Sequence, residues 1–358
     1  MALHNRVDRR ILKQRLMEEP FHRITISFYR YIRLEDPQAF RDRLYQEWEA
    51  LNCFGRIYVA QEGINAQMSV PEHNYDTFLE KLNQHPELKD IPIKVAVEDD
   101  GKSFYKLIIK VRPKIVNDGL DDHAYDVTNV GHHMSADEFN AAVQGDDTIV
   151  VDMRNHYEYE VGHFDGAIGP EGATFRDVLP EMVEKLRGKE DKKIVLYCTG
   201  GIRCEKASAY FKHAGFKDVN QLHGGIIDYS RQIKTKQLDN KYLGKNFVFD
   251  ERLGERISDD IISHCHQCGQ PADTHTNCLN EDCHILFIQC DECREKYEGC
   301  CSDDCQEFLH LPEEEKEKHR HHWDTGKASK YAYMSKQKSV LKERFPCYEL
   351  DEESTCQS

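Results

Sequence analysis

Between positions 21 and 116 the apolar residues switch between two periods. The run His22-Arg23-Ile24-Thr25-Ile26-Ser27-Phe28-Tyr29 alternates, as a strand with one buried face does. From 37 to 51, Phe40, Leu44, Trp48 and Leu51 recur at helical spacing, which predicts an amphipathic helix. Strands are predicted at 55–60 and 63–70, separated by the turn residues Gln61-Glu62-Gly63, followed by a helix at 75–83. The run Phe104-Tyr105-Lys106-Leu107-Ile108-Ile109-Lys110-Val111 closes a β-α-β-β-α-β order. That order predicts a ferredoxin-like α+β domain over residues 21–118, behind a basic extension at 1–20. Such a fold says little about activity by itself.

The central segment, residues 119–240, alternates predicted strands (148–152, 167–168, 194–198, 219–222) with predicted helices (135–143, 175–187, 205–214). Strands separated by helices imply a doubly wound parallel sheet covered on both faces, with ligands beyond the carboxyl ends of the strands. One such end carries Cys198-Thr199-Gly200-Gly201-Ile202-Arg203. The glycines let the backbone curl so that amides point inward, and a helix start and Arg203 add positive potential, a setting that favours a thiolate. A Cys-x4-Arg ring is one residue shorter than the Cys-x5-Arg cradle that phosphatases close around phosphate, and it fits sulfur chemistry better. The plainer alternative is a buried core cysteine followed by a Gly-rich turn.

The surroundings of that loop carry a resemblance. Val150-Val151-Asp152-Met153-Arg154, then Glu158-Tyr159-Glu160-Val161-Gly162-His163-Phe164-Asp165-Gly166-Ala167-Ile168, and later Leu222-His223-Gly224-Gly225-Ile226, resemble the signatures of rhodanese domains over about residues 119–236. The run from Tyr197 to Ala207, the stretch Gly244-Lys245-Asn246-Phe247-Val248-Phe249-Asp250-Glu251-Arg252 and the cysteines beyond it are similar to the rhodanese-domain proteins that hydroxylate uridine 34 of tRNA. This resemblance reaches over about residues 21–305. It implies Cys198 as nucleophile and sulfur carrier, with the amides of Thr199, Gly200, Gly201, Ile202 and Arg203 around its charge. Asp152 and Arg154 are expected to support the site as an ion pair. Cys204 is either a resolving thiol or, with Ala207, Ser208 and Phe211, part of a buried helix face. His163-x-Asp165 has two legs of an iron-binding triad, but the rhodanese signature explains it without iron.

Nine cysteines fall between 265 and 305, the heart of a cysteine-rich domain at 241–311. In a chain without an apolar leader or membrane-length apolar run, expected to be cytoplasmic, they read as metal ligands before disulfides. Two zinc ions are expected. One would take Cys265, Cys268, Cys290 and Cys293; the other Cys278, Cys283, Cys305 and one of Cys300 and Cys301, with Cys301 preferred. His264, His266, His275 and His284 are possible replacements for a sulfur, and unliganded thiols are the alternative. Residues 312–358 read as a solvated helix and a flexible charged tail. There His319, His321 and His322 are weak metal candidates, and Cys347 and Cys356 lack a recognised partner.

The formal charge of −16 argues against a general polyanion binder. Two stripes soften that objection: eight basic residues against three acidic ones in positions 1–33, and Lys102, Lys106, Lys110, Arg112 and Lys114 with no acid between them. Three functions follow. The resemblance implies oxygen-dependent hydroxylation of the wobble uridine of tRNA, with molecular oxygen as co-substrate, a reductant, the anticodon loop as partner and no membrane. The Cys198 loop alone supports a sulfurtransferase working through a persulfide equally well. A docking module with a redox-sensing cysteine is the third. The N-terminal domain, basic stripes and cysteine block separate the first from the second, because a small-molecule transferase needs none of them.

Overall fold

The computed structural model describes residues 7–121, 124–145, 147–320, 336–345 and 347–348. In the N-terminal domain, β1 (Arg23–Tyr31), α2 (Pro37–Ala50), β2 (Phe54–Ala60), β3 (Gly63–Pro71), α3 (Tyr75–Gln84), β4 (Lys94–Val95) and β5 (Leu107–Val111) follow α1 (Arg9–Glu18). Asp36 caps α2 by accepting hydrogen bonds from the Gln38 and Ala39 amides, and Pro37 opens the first turn, where its missing N–H costs nothing. Phe40, Leu44 and Trp48 of α2 and Phe78 and Leu82 of α3 cover Ile26 and Phe28 of β1. Trp48 is fully buried, with Phe28 and Phe78 rings 6.2 and 5.8 Å away. The sheet order is β4-β1-β3-β2-β5.

That order corrects one expected strand. The place beside β1 is taken by the two residues of β4, antiparallel with Ile26 opposite Val95. The run around 107–111 instead lies parallel to β2 on the opposite edge, with Gly55 opposite Leu107. Two residues are too few for a period of two to show, so the longer apolar run was the one visible. The basic extension is also partly consumed in folding. Leu12 and Leu16 of α1 are buried, and Arg23 lies fully buried with Glu19 at 2.6 Å.

The central domain holds a parallel sheet in the order β6-β10-β9-β7, formed by His132–Met134, Asp218–Leu222, Lys193–Tyr197 and Thr148–Asp152. Residues 167–168 contribute a single bridge, Val151 to Ile168, not a strand. Helices α6 (Phe175–Lys185) and α7 (Ile202–His213) pack on one face through Val178, Leu179, Met182, Ala207 and Phe211. On the other, α4 (Ala136–Ala142) and α8 (Gly225–Lys236) contribute Phe139, Ile226, Tyr229 and Ile233. The short α5 (His156–Glu160) and β8 (Gly162–Phe164) follow β7, and β8 pairs with β11 (Tyr242–Asn246), which leads into the cysteine-rich block.

The expected flexible tail needs correction over 336–345 and 347–348. Leu341, Phe345 and Tyr348 are buried against Phe287 and the cysteines, with the Phe345 and Phe287 rings stacked at 5.2 Å. Leu341 lies in the helix Lys338–Arg344 and Phe345 and Tyr348 just beyond it, three apolar residues spaced among charges. Cys347 is disulfide-bonded, not an unpaired thiol. The side chains of His319, His321 and His322, and all of Cys356, lie outside the described residues. Among the described residues no helix is long and apolar enough to cross a membrane.

The N-terminal sheet carries helices on one face only, and its other face meets the central domain. Tyr31 donates to the Ile202 carbonyl at 3.2 Å, and Tyr29 to Glu205 at 3.1 Å. The Lys206 ammonium, 1% exposed, lies 2.9 Å from Glu62 and 3.2 Å from Asp118. Removing one member of such a cluster leaves buried charges uncompensated. Lys206→Met is therefore expected to cost about 3–5 kcal/mol in urea unfolding; a loss below about 1 kcal/mol, the scale of a surface pair, would show that this contact does not hold the two domains together.

Candidate active site

Strand β9 delivers Cys198 to the carboxyl edge of the sheet, and α7 begins four residues later. Gly201 caps the helix with φ +95, a conformation glycine adopts without strain, and its N–H donates to Cys198 Sγ at 3.1 Å. The return loop approaches equally closely. A Cβ on Gly225 would stand 2.4 Å from the Cys198 carbonyl oxygen, which itself accepts from the Ile226 amide at 3.0 Å.

Burial by itself would push the Cys198 thiol up. The Cys204 thiol donating to it, the adjacent Arg203 guanidinium, and the Cys204 and Arg203 amides outweigh that and lower it to about 6. The α7 dipole points its positive end at the same sulfur. The donors are thus Gly201, Arg203 and Cys204, a narrower set than all five residues 199–203. Cys204 itself is fully buried in the core cluster, and burial and the neighbouring sulfur keep it protonated. It is core residue and hydrogen-bond donor together.

Arg203 braces the loop. Its guanidinium donates bidentately to Glu158, at 2.7 and 2.8 Å, and to Thr199 Oγ1 at 3.1 Å. Burial would raise Glu158, but Arg203 wins and holds it below the usual carboxylate range. Glu158 was not singled out from sequence, although it opens the second rhodanese signature; a carboxylate facing a loop arginine was the signal. Asp152 and Arg154 are both fully buried and paired at 2.6 Å. Arg154 also donates to the Gly162 carbonyl and to Tyr242, tying β7 to β8 and β11. His163 stacks on Tyr159 and its Nδ1 lies 2.9 Å from the Tyr159 carbonyl, so it serves local packing.

Cys198 lies at the floor of a cavity of about 1060 Å³ between the sulfur loop and the open face of the N-terminal sheet. Strand alternation turns Ser27, Tyr29, Asn65, Gln67, Arg56 and Tyr58 into it, with Lys94 from the edge. Phe249 and Lys336 add walls from the C-terminal part, and Arg203 and Arg176 from the central domain. A second cavity of about 300 Å³ shares Arg56, Phe104, Phe249, Asp250 and Lys336 with the first. At its rim the two basic stripes meet on one ring: Arg9, Lys13 and Lys106 lie 5.9, 5.6 and 5.6 Å from Tyr105. Arg9 and Lys13 share Glu251, and Lys114 is committed to Asp118. Arg6 lies outside the described residues.

In the cysteine-rich block the sulfurs of Cys265, Cys268, Cys290 and Cys293 converge, as do those of Cys278, Cys283, Cys301 and Cys305, each set within 4.8 Å. Cys300 is buried outside both sets, and none of His264, His266, His275 and His284 joins either. His266 pairs with Glu160 at 2.8 Å instead. The contacts Cys268–Cys290 and Cys283–Cys301, both 3.6 Å, match the edge of a tetrahedron of thiolates around one ion. Arg344, from the C-terminal helix Lys338–Arg344, donates to Cys301 at 3.2 Å and to Cys305 at 3.4 Å.

Fold and site define a rhodanese-type enzyme whose cysteine loop is roofed by a second α+β domain. Family models match in the same order: a UPF0176 acylphosphatase-like domain at 23–115, a rhodanese-like domain at 135–232 and a rhodanase C-terminal domain at 243–306. The tRNA uridine(34) hydroxylase of Leptospira interrogans is 56% identical over 94% of this chain and 90% of its own length. That of Yersinia enterocolitica is 54% identical over 95% and 96%. The chain belongs to the tRNA uridine(34) hydroxylase family. Among solved structures, the rhodanese-like domain of the Anabaena Alr3790 protein aligns at TM-score 0.26 and 20% identity, over 31% of this chain and 78% of that one.

The electrostatics predict the reactivity of the thiol. Alkylation of Cys198 by iodoacetamide, followed by peptide mass spectrometry, is expected to reach half its maximal rate near pH 6. Cys204→Ala removes a donor to the anion and is expected to move that midpoint upward; an unmoved midpoint would remove Cys204 from the account.

Proposed function

We propose that this protein hydroxylates C5 of uridine 34 in tRNA, in the cytoplasm, with molecular oxygen as co-substrate, an external reductant and Cys198 as its reactive group. The observation that carries this reading is the placement of a depressed-pKa cysteine at the floor of a nucleotide-sized cavity, in a chain matching hydroxylases of that name along nearly its whole length. A base in an anticodon loop can leave its stack and enter such a cavity. The basic residues around Tyr105 and at Arg56 offer the phosphate contacts that an acidic protein must gather locally.

The residues divide the work. Gly201, Arg203 and Cys204 hold the negative charge on Cys198, Glu158 holds Arg203, and Gly225 lets α8 close beneath the loop. The same cradle would hold the terminal charge of a persulfide, so sulfane-sulfur transfer is the second reading, favoured by the six-residue ring. The roofed cavity argues for the larger substrate. Replacing Cys198 with Ala or Ser is expected to abolish 5-hydroxyuridine in tRNA nucleosides analysed by mass spectrometry, with the fold intact. A soluble variant of full activity would end the catalytic assignment.

The two cysteine sets fit zinc, a structural ion that takes four thiolates and closes the site to water. Zinc would fix the block that carries Phe249 and the docked segment at 336–348, and so the far wall of the cavity. About two zinc ions per chain are expected in freshly purified, reduced protein. Chelation is expected to unfold the block from Cys265 to Cys305 before the central domain; metal analysis finding none would remove the claim.

A further inference from the structure

The wall opposite Cys198 contains polar groups that the fold leaves without partners. Lys94 in β4 is 9% exposed, yet its ammonium makes no hydrogen bond or ion pair among the described residues; the Tyr29 ring centroid lies 4.8 Å from it. Burial pulls its pKa down. A buried cation with no contacting partner is expensive to keep, and the negative groups that favour it, Asp228, Cys198 and Glu205, all belong to the central domain. Gln67 in β3 is half-buried and its carboxamide also lacks a hydrogen-bond partner among the described residues. The register places both in one cross-strand row, Lys94 opposite Ser27, Ser27 opposite Gln67, and Gln67 opposite Arg56. All four line the cavity.

We propose that Lys94 and Gln67 are the groups that recognise the uracil base and set its C5 toward Cys198. This rests on the hydroxylase reading above. Uracil presents an acceptor at O4, a donor at N3 and an acceptor at O2 along one edge. Lysine carries donors only, and a carboxamide carries both kinds. The match is O4 on the Lys94 ammonium, with the Gln67 carboxamide further along the row on N3–H and O2. C5 is bonded to C4, on the side away from N3, so anchoring O4 on Lys94, whose charge is coupled to that of Cys198 across the cavity, sets C5 toward the sulfur. Tyr29 and Tyr58 line the cavity beside the row. Cytosine places an amino donor where uracil has O4. Against Lys94 that is donor facing donor, and a site built on hydrogen bonds rejects such a mismatch strongly.

The test uses the full chain and unmodified tRNA transcripts bearing either uridine or cytidine at position 34. Two quantities are read: kcat/KM for 5-hydroxyuridine formation, and the ratio by which U34 and C34 transcripts compete for binding. Lys94→Met and Gln67→Ala are each expected to lower kcat/KM at least tenfold and bring the competition ratio toward one, while Lys94→Arg keeps part of both. The pH profile of Cys198 alkylation, expected to be retained in Gln67→Ala and to move upward in Lys94→Met, which removes a positive charge coupled to the sulfur, reports that the sulfur loop is intact. If both variants keep wild-type kcat/KM and discrimination, the inference is wrong. If Lys94→Met fails to fold, Gln67→Ala, at a half-exposed position, decides by the same ratio. If the wild type binds U34 in preference to C34 yet makes no 5-hydroxyuridine, the hydroxylase reading fails and the recognition inference stands. A wild type that binds both equally overturns the inference whatever its activity.

Discussion

A negative charge kept at the end of a strand inside the protein is the constraint around which this molecule is organised. Cys198 is fully buried, and burial opposes its ionisation. The opposing field comes from the amides of a helix start, a neighbouring thiol and an arginine, each too weak alone to reverse the cost. Each must therefore be held still. Arg203 is fixed by Glu158, and Cys204 is fixed by the core beneath α7. The Asp152–Arg154 pair anchors the next strand through the Gly162 carbonyl and Tyr242 rather than touching the sulfur. Support for the charge thus reaches from the loop into the sheet.

The same economy of fixed charges joins the domains. Lys206 lies one turn into the helix that activates the thiol and is clamped by Glu62 and Asp118 from the N-terminal side. Tyr29 and Tyr31 reach Glu205 and Ile202 in the first turn of that helix. A sheet face that would otherwise be solvated becomes the roof of a cavity, and the helix start is pinned by the domain it faces.

Much of this was legible in the sequence, and the failures have physical causes. Long runs with a clear period, such as β1, α2 and the strands flanking Cys198, were found because alternation and helical spacing survive over several turns. The edge strand Lys94–Val95 was invisible, since two residues show no period. The longer run at 107–111 was assigned its place, and Lys94 went unremarked with it. Cysteine spacing was informative because four sulfurs must reach one point; the sets formed by the chain are the interleaved ones that spacing suggested. Glu158 was missed because its meaning depends on Arg203, 45 positions away. The docking of Leu341, Phe345 and Tyr348 was hidden by charge, which local composition weighs more heavily than three well-spaced apolar residues.

The docked C-terminal segment changes how the site comes into being. Lys336 lines both cavities, its carbonyl lies 2.5 Å from His156, and Arg344 leans on the sulfurs of the second cysteine set. Residues late in the chain therefore complete a pocket whose roof comes from residues much earlier in it. During synthesis the N-terminal and central domains can fold as they emerge, but a finished wall must wait until position 348 has cleared the ribosome. A nascent chain would carry the reactive thiol well before the enclosure that selects what reaches it.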